Sequence, residues 1–215
     1  MDNDPIKEKM YRLAIEQMAA NGMKPPKESV RVVENAIAMI LQMFVNDWTE
    51  NPNFQETPQR VARAMFDTWF NGYNRSLEDE MKTFPNTSHE TAMVVVKDIP
   101  FYSTCAHHMS PFFGKAAIAY IPHERVAGLS KFARAIDIFA RRLQLQEHIT
   151  KDVARGLNQL LDPRGLMVVL YDVEHTCMTN RGVQAHGSTT STSIYFGCFE
   201  DLAVRQEALT LIFGR

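Results

Sequence analysis

The chain has 215 residues, of which 45% are hydrophobic and 22% are charged, and its formal net charge is −2. These proportions are ordinary for a globular protein, and the small net charge provides no general attraction to nucleic acid or to an anionic membrane. No apolar run approaches the roughly 18–20 residues that cross a bilayer, and residues 1–8 lack the apolar core of a signal peptide. We therefore expect a cytoplasmic protein without a nucleic-acid or membrane partner.

The first 75 residues are predicted to form an N-terminal helical region. Apolar residues recur at helical spacing in two stretches, which are separated by a Lys24-Pro25-Pro26 break. A third helix is expected to begin at Thr57-Pro58, with Thr57 as the N-cap and Pro58 at the first helical position. Residues 75–91 are polar and have no clear periodicity. The predicted helices cover residues 6–20, 28–48 and 57–70.

The pattern changes in the second part of the chain, which is predicted to be a domain covering residues 76–215. Four stretches that are rich in β-branched residues, or in which apolar and polar residues alternate, predict four strands. Two amphipathic stretches between them predict two helices. This order favours the α+β class, with a four-stranded antiparallel sheet and a pair of helices on one face. The two parts are expected to form one structural unit. The predicted strands are 93–96, 116–120, 166–173 and 188–196, and the predicted helices are 130–143 and 148–161.

Two short clusters pair cysteine with histidine. Cys105 and His108 form a C-x-x-H pair directly after a strand, while His175 and Cys177 are two residues apart and so lie on one side of an extended segment. Thiolate sulfur and imidazole nitrogen are typical zinc ligands. Cys105, His108 and Cys177 with one vacant position would describe a catalytic zinc site. A single buried cysteine or a single histidine is more often structural, so the zinc interpretation depends on the pairing of cysteine with histidine in both clusters. For Cys198, which stands alone, burial is favoured.

Basic residues occur in three further patterns. Gly128-Leu129-Ser130 leads into a helix that carries Lys131 and Arg134 on one face, an arrangement that can hold an anion. Arg181 follows the second cysteine–histidine cluster, and Arg60 and Arg63 share a face of the third helix. Each pattern alone is equally compatible with a solvated basic surface. The pair Gln146-Glu147, taken by itself, also indicates an exposed linker between the two central helices, because Gln and Glu are usually exposed.

Taken together, the motifs resemble the GTP cyclohydrolase I family, from residue 57 to residue 209. Six blocks in the same order make this resemblance far more specific than any one motif, whereas the first 50 residues match only in their helical character. The blocks are Cys105-x-His107-His108-x-x-Pro111-Phe112-x-Gly114, Ile118-Ala119-Tyr120-Ile121-Pro122, Gly128-Leu129-Ser130-Lys131-x-x-Arg134, Gln144-x-Gln146-Glu147, Glu174-His175-x-Cys177-Met178-x-x-Arg181-Gly182 and Ser188-x-Thr190-x-Thr192.

The resemblance implies a T-fold enzyme that assembles as a homodecamer of two pentamers. The implied reaction is the zinc-dependent hydrolytic opening of the guanine imidazole ring of GTP, which releases formate and forms 7,8-dihydroneopterin triphosphate. The implied zinc ligands are Cys105, His108 and Cys177, and the implied catalytic residues are His107, His175 and Ser130. The implied guanine contacts are Gln146 and Glu147, and the implied ribose and triphosphate contacts are Ser130, Lys131, Arg134 and Arg181, with Arg60 and Arg63 from a neighbouring subunit.

One residue departs from the family pattern. Ala106 stands where the family usually has glutamate, between Cys105 and His107. This position is not an implied metal ligand, so zinc binding should persist, although the rate could differ. The alternatives are a non-catalytic T-fold protein that binds a purine or pterin, and a related T-fold enzyme of deazapurine synthesis. The second alternative would need a nucleophilic cysteine and a nicotinamide cofactor, but both candidate cysteines lie in zinc-type pairs.

Overall fold

A computed structural model describes residues 27–214, and the chain divides into two compact units at the Asn74–Arg75 boundary. In the described part of the first unit, helix α1 (Lys27–Phe44) is followed by helix α2 (Thr57–Ala64), a π-helical turn (Met65–Trp69) and a 3₁₀ turn (Asn71–Asn74). The predicted helix at residues 6–20 lies outside the described residues. None of the described helices is both long enough and apolar enough to cross a membrane.

The start of α2 differs by one residue from the sequence-based prediction. Thr57 is itself helical, and the N-cap is Glu56, whose side chain makes no capping hydrogen bond. Pro58 still lies in the first turn, where the missing N–H costs nothing because the first N–H groups of a helix have no intrahelical partner. The end of the preceding helix also differs from its prediction, since α1 ends at Phe44 rather than at residue 48.

The second unit, Arg75–Arg215, contains the sheet. A short helix α3 (Leu77–Glu80) and a small pair of strands, β1 (Thr83–Pro85) with β4 (Arg125–Ala127), lie outside it. The main sheet has the strand order β5-β2-β3-β6-β7. Its strands are β2 (Val94–Cys105), β3 (Pro111–Ile121), β5 (Leu143–Gln144), β6 (Gly165–His175) and β7 (Thr190–Gly197).

Helices cover both faces of this sheet. Helices α4 (Leu129–Ala140) and α5 (Gln146–Leu161) pack on one face through a core that includes Phe132, Ile136 and Leu157. The four long strands are antiparallel neighbours, which confirms the predicted α+β class with an antiparallel sheet and a pair of helices on one face. The two-residue strand β5 adds a fifth strand, parallel to β2, that the sequence did not reveal.

The opposite face is covered by a C-terminal helix, α7 (Leu202–Phe213), that was not predicted; the short helix α6 (Thr176–Thr179) precedes it in the chain. Ala208 and Ile212 of α7 are buried, but Leu202 is 68% exposed and Phe213 is 46% exposed. Because apolar residues lie on its exposed as well as its buried side, α7 lacks the apolar stripe by which amphipathic helices are recognised.

Strands β2, β3 and β6 extend beyond their predicted ends and each continues past a bulge, whereas β7 begins two residues later than predicted. The apolar run that predicted a strand at 93–96 stops at Lys97-Asp98, but β2 continues past a register shift between Val96 and Ile99. Asp98 adopts φ +56°, its N–H donates to the hydroxyl of Tyr171, and that hydroxyl donates to the Asp98 carboxylate. The strand therefore reaches Cys105, which places this residue at the edge of the site described below.

The turn from β7 into the following 3₁₀ helix (Cys198–Glu200) depends on Gly197. Its φ and ψ are 62° and −133°, and a Cβ atom there would lie 2.3 Å from the carbonyl oxygen of Arg164. We expect Gly197→Ala to lower the free energy of unfolding by about 2–4 kcal/mol, because backbone strain and a clash with backbone add together.

Gly187 provides the matched control for this substitution. Its φ is +76°, but apart from its chain neighbours no atom lies within 4 Å of the place that a Cβ atom would occupy. Gly187→Ala should therefore cost only about 1 kcal/mol, from the left-handed backbone alone. Urea denaturation of both variants measures the difference, and equal losses of stability would show that the clash at Gly197 is absent.

Candidate metal centre

The first part of the centre is the loop that connects β2 to β3. The N–H of Cys105 donates to the carbonyl of Ser110, and the N–H of Met109 donates to the carbonyl of Cys105, both at 2.8 Å. These bonds close a tight turn in which Met109 adopts φ +51°. The turn brings Sγ of Cys105 to 3.7 Å from Nδ1 of His108. The two possible ligand atoms of the C-x-x-H pair therefore lie close together, as the sequence predicts.

The third member comes from the end of β6. This strand ends at His175, and the first turn of helix α6 carries Cys177. The hydroxyl of Thr176 donates to the carbonyl of Pro111 at 2.6 Å, which ties the start of α6 to the start of β3. One ligand atom from each of Cys105, His108 and Cys177 then lies within 4.8 Å of the others.

These residues fit a tetrahedral metal ion by their donor chemistry. Ligand atoms at zinc–sulfur and zinc–nitrogen distances of about 2.0–2.3 Å stand about 3.3–3.8 Å apart, and the Cys105–His108 separation falls in that range. Burial raises the pKa of the Cys177 thiol, and the neighbouring Cys105 raises it further. A bound cation reverses this effect, because it favours the thiolate form of both cysteines.

A cavity of about 450 Å³ adjoins the cysteine–histidine cluster. This volume suits a small-molecule ligand. Its wall includes most of the residues that were predicted from the sequence to bind metal, transfer protons or recognise the base. Four further residues of the wall were not predicted. The wall consists of Cys105, His107, His108, Phe112, Gln144, Leu145, Gln146, Glu147, His148, His175 and Cys177.

His175 is held in the wall by two contacts. Its ring stacks on Phe112 with centroids 4.7 Å apart and planes inclined by 12°, and its Nε2 lies 2.9 Å from Oε1 of Gln146. Burial lowers the pKa of His175, and the charge of Glu147 acts in the opposite direction. These two contacts orient the imidazole ring of His175, which still forms part of the cavity wall.

Gln146 and Glu147 lie in a helix rather than in the linker that their sequence pattern favoured. Helix α5 begins at Gln146, two residues earlier than predicted, with Leu145 in extended conformation as its N-cap. The side chain of Gln146 is buried among hydroxyl groups of Thr190 and Thr192, whereas Glu147 is exposed in the cavity wall. The first turn of α5 therefore presents one carboxylate to the cavity.

The basic residues at the start of α4 do not line this cavity. Ser130 and Arg134 are exposed, and Nζ of Lys131 donates to the carbonyl of Glu80 at 2.8 Å. Helix α4 has 12 residues, so its N-terminal end lies about 18 Å along the axis from the end that leads to β5 and the cavity. The structure thus separates Ser130 and Lys131 from the metal cluster of the same chain, while Arg134 lies near the middle of the helix.

The remaining nominated arginines occupy different places. Nη1 of Arg181 donates to Nε2 of His108 at 2.7 Å, which brings a positive charge to the edge of the cluster. Arg60 and Arg63 belong to the first compact unit, and Arg60 pairs there with Glu56. Ala106 is exposed and its N–H donates to the carbonyl of Gln144, so this position supports the loop through its backbone.

Phe112, Gln144, Leu145 and His148 were not nominated as site residues. Phe112 and Gln144 fall within motifs already noted, but nothing in their residue types indicates a cavity wall. The threonines around Gln146 carried a weak signal, because Thr190 and Thr192 are two residues apart in a strand and so share a face. Their partner could not be identified without the position of α5.

Comparison with known proteins agrees with this geometry. The family model described as GTP cyclohydrolase I matches residues 33–213. A protein of Allorhizobium ampelinum named GTP cyclohydrolase 1 is 41% identical over 94% of this chain and 98% of its own length. A protein of the same name from Brevibacillus brevis is 48% identical over 84% of this chain and 95% of its own.

Among solved structures, the archaeosine synthase QueF-Like in its apo form covers 49% of this chain and 93% of its own, with 17% identity and a TM-score of 0.41. That likeness is too weak to support a conclusion. The family match and the two relatives, by contrast, span most of the sequence, and the family match includes every residue of the cysteine–histidine cluster and of the cavity wall. The chain belongs to the GTP cyclohydrolase I family.

Proposed function

We propose that this protein opens the guanine imidazole ring of GTP by hydrolysis, releases formate and forms 7,8-dihydroneopterin triphosphate. The observation that carries the proposal is the open cluster of Cys105, His108 and Cys177 beside a cavity that is also lined by three further histidines and a carboxylate. The relatives that match most of the chain are named for this activity.

The metal in this proposal is zinc. Two cysteine sulfurs and one imidazole nitrogen form a donor set that zinc prefers, and three protein ligands leave one position for water, as in catalytic zinc sites. When bound, zinc supplies a Lewis acid that makes water acidic enough to act as a nucleophile near neutral pH. The thiolates offset the charge of the ion.

Glu147 is the proposed contact for the guanine base. Its carboxylate stands in the first turn of α5, on the wall of the cavity, where it can accept hydrogen bonds from the N1–H and the exocyclic amine of guanine. Adenine has no N1–H and would leave the carboxylate without these donors. A site built around such an acceptor rejects the wrong base strongly.

His175 and His107 are the proposed groups for proton exchange with the substrate. Both line the cavity, and His175 is fixed by its stack on Phe112. As the imidazole ring of guanine opens, N7 gains electron density and needs a proton, which His175 is positioned to donate. His107, which is exposed and has its ring centroid 6.0 Å from that of His108, is assigned to proton transfers at the ribose together with Ser130.

The triphosphate is proposed to bind between copies of the chain. Ser130 and Lys131 lie in the first turn of α4 and Arg134 lies near its middle, and none of the three lines the cavity, so their contact with the same substrate is assigned to a second copy. Arg181 contributes from the chain that holds the metal, and Arg60 and Arg63 are assigned to a further copy. A homo-oligomer is therefore part of the proposal, with a decamer of two pentamers as the favoured form.

Mixed assembly tests the sharing of the site. Cys105→Ala and Lys131→Ala chains should each be inactive alone, because one lacks a metal ligand and the other lacks a triphosphate contact. Co-expression of the two should restore a fraction of the parent activity, since some sites then combine an intact cluster with an intact Lys131. If the mixed oligomers stayed as inactive as the separate variants, each chain would contain its own complete site.

The reaction itself is tested with GTP labelled with carbon-14 at C8. The zinc-loaded protein should release labelled formate in proportion to the GTP consumed, because C8 is the carbon that hydrolysis removes. ATP labelled in the same way should release none. Label that stays in unaltered GTP throughout would mean that the ring is not opened and that the chain only binds its ligand.

A further inference from the structure

The side chain of Gln146 is 3% exposed, although it lines the cavity at the start of α5. Its Oε1 accepts from the hydroxyl of Thr190 and lies 2.9 Å from Nε2 of His175. Its Nε2 donates to the hydroxyl of Thr192 at 3.2 Å. Both ends of the amide thus have protein partners, two at the oxygen and one at the nitrogen, and the side chain is almost completely buried.

The direction of these hydrogen bonds follows from a carbonyl at the far end of the network. The hydroxyl of Thr150 donates to the backbone carbonyl of Gln146, which can only accept. The 2.6 Å contact between the hydroxyls of Thr150 and Thr192 then takes its hydrogen from Thr192. With its hydrogen used in this way, Thr192 can only accept from the amide, so Nε2 of Gln146 faces Thr192.

The same direction determines which nitrogen of His175 carries hydrogen. Because Oε1 of Gln146 faces His175 and is an acceptor, Nε2 of the imidazole must be the donor. The stack on Phe112 fixes the plane of the ring, and the bond to Gln146 fixes its rotation within that plane. Nδ1 is then the nitrogen of His175 that no described side chain of this network uses.

We propose that Gln146 is a positioning residue for His175, held by Thr150, Thr190 and Thr192, and that it does not contact the guanine base. The hydroxyl network turns the amide oxygen of Gln146 towards Nε2 of His175, and this hydrogen bond fixes the rotation of the ring beside the cavity. This inference rests on the proposed function, because His175 acts there on the substrate. It differs from the sequence-based expectation, in which Gln146 shares the recognition of guanine with Glu147.

Steady-state kinetics of the full, zinc-loaded protein separate the two roles. Gln146→Leu removes both ends of the amide, and Thr192→Val removes only the acceptor that orients it. If Gln146 positions His175, kcat should fall about 100-fold in Gln146→Leu and about 10-fold in Thr192→Val, because misplacement of a reacting group costs rate. In both variants KM for GTP should stay within about threefold of the parent, because binding of the ground state is unaffected.

Two matched variants distinguish orientation from general damage. Thr192→Ser keeps the hydroxyl and should return kcat to within about threefold of the parent, since the network is restored. Ser191→Val changes the neighbouring, exposed residue of β7 and should behave as the parent. Zinc content, measured for every variant, should remain one ion per chain.

Each other result overturns the inference. A large rise in KM with kcat unchanged would make Gln146 a substrate contact, and an unchanged kcat in Thr192→Val would show that the network does not orient His175. Equal losses in Thr192→Val and Thr192→Ser, or loss of zinc, would reveal a structural role only. A parent protein that forms no product would instead overturn the proposed function, and this inference with it.

Discussion

Cys177→Ala is expected to leave the chain almost free of zinc and without measurable formation of pterin product. Cys177 supplies one of only two sulfur donors in the cluster, and its loss leaves two ligands for the ion. Loss of a mere supporting partner of a ligand costs roughly 10–100-fold in metal affinity, so loss of a ligand should cost more. Metal analysis after dialysis against a weak chelator measures the occupancy directly.

Cys198 offers the matched control for this experiment. It is half-buried at the start of the 3₁₀ helix after β7 and is not a member of the cysteine–histidine cluster. Cys198→Ala should therefore keep one zinc ion per chain. Full occupancy in Cys177→Ala, or equal loss in the two variants, would show that the ligands have been wrongly assigned.

Glu147→Ala should bind GTP about 100-fold more weakly than the parent while it retains its zinc. Hydrogen bonds to a charged group contribute about 1.5–3 kcal/mol each, and two such bonds are lost, so a net cost of about 3 kcal/mol is a conservative expectation. Isothermal titration with GTP under conditions of slow turnover measures the change. The same variant should also lose most of its preference for GTP over ATP.

Asp152→Ala is the control for the charge of Glu147. Asp152 is half-buried on the same helix and does not line the cavity. Its removal changes the net charge by the same amount, so GTP affinity close to that of the parent is expected. If Glu147→Ala bound GTP as tightly as Asp152→Ala does, the contact for guanine would have to lie elsewhere in the cavity.

The metal cluster could be predicted from the sequence because each of its two parts consists of residues that are close together in the sequence. A C-x-x-H turn after one strand and a cysteine just beyond another strand are visible as short spacings, and the structure brings the two halves together. The sheet was predictable for a similar reason, since alternation marks strands and intervening amphipathic stretches mark helices. The bulge at Asp98 hid the second half of β2, because two polar residues end the apolar run.

The parts that could not be predicted depend on contacts between distant segments. The pattern at Gln146 is that of a polar linker, and only the approach of β7 to α5 shows that its amide is enclosed by threonines. Lys131 and Arg134 were correctly placed on a helix face, but their distance from the metal cluster depends on which end of α4 faces the cavity. Helix α7 lacked a usable signal, since its apolar residues do not form a stripe.

The proposed activity is tested most directly by counting products from zinc-loaded protein and GTP. After oxidation and dephosphorylation, 7,8-dihydroneopterin triphosphate yields neopterin, whose fluorescence is easily measured. We predict one neopterin and one formate for each GTP consumed, no product from the zinc-free protein, and recovery of activity when zinc is restored. GTP that remains intact in the presence of fully zinc-loaded protein would contradict the proposed function.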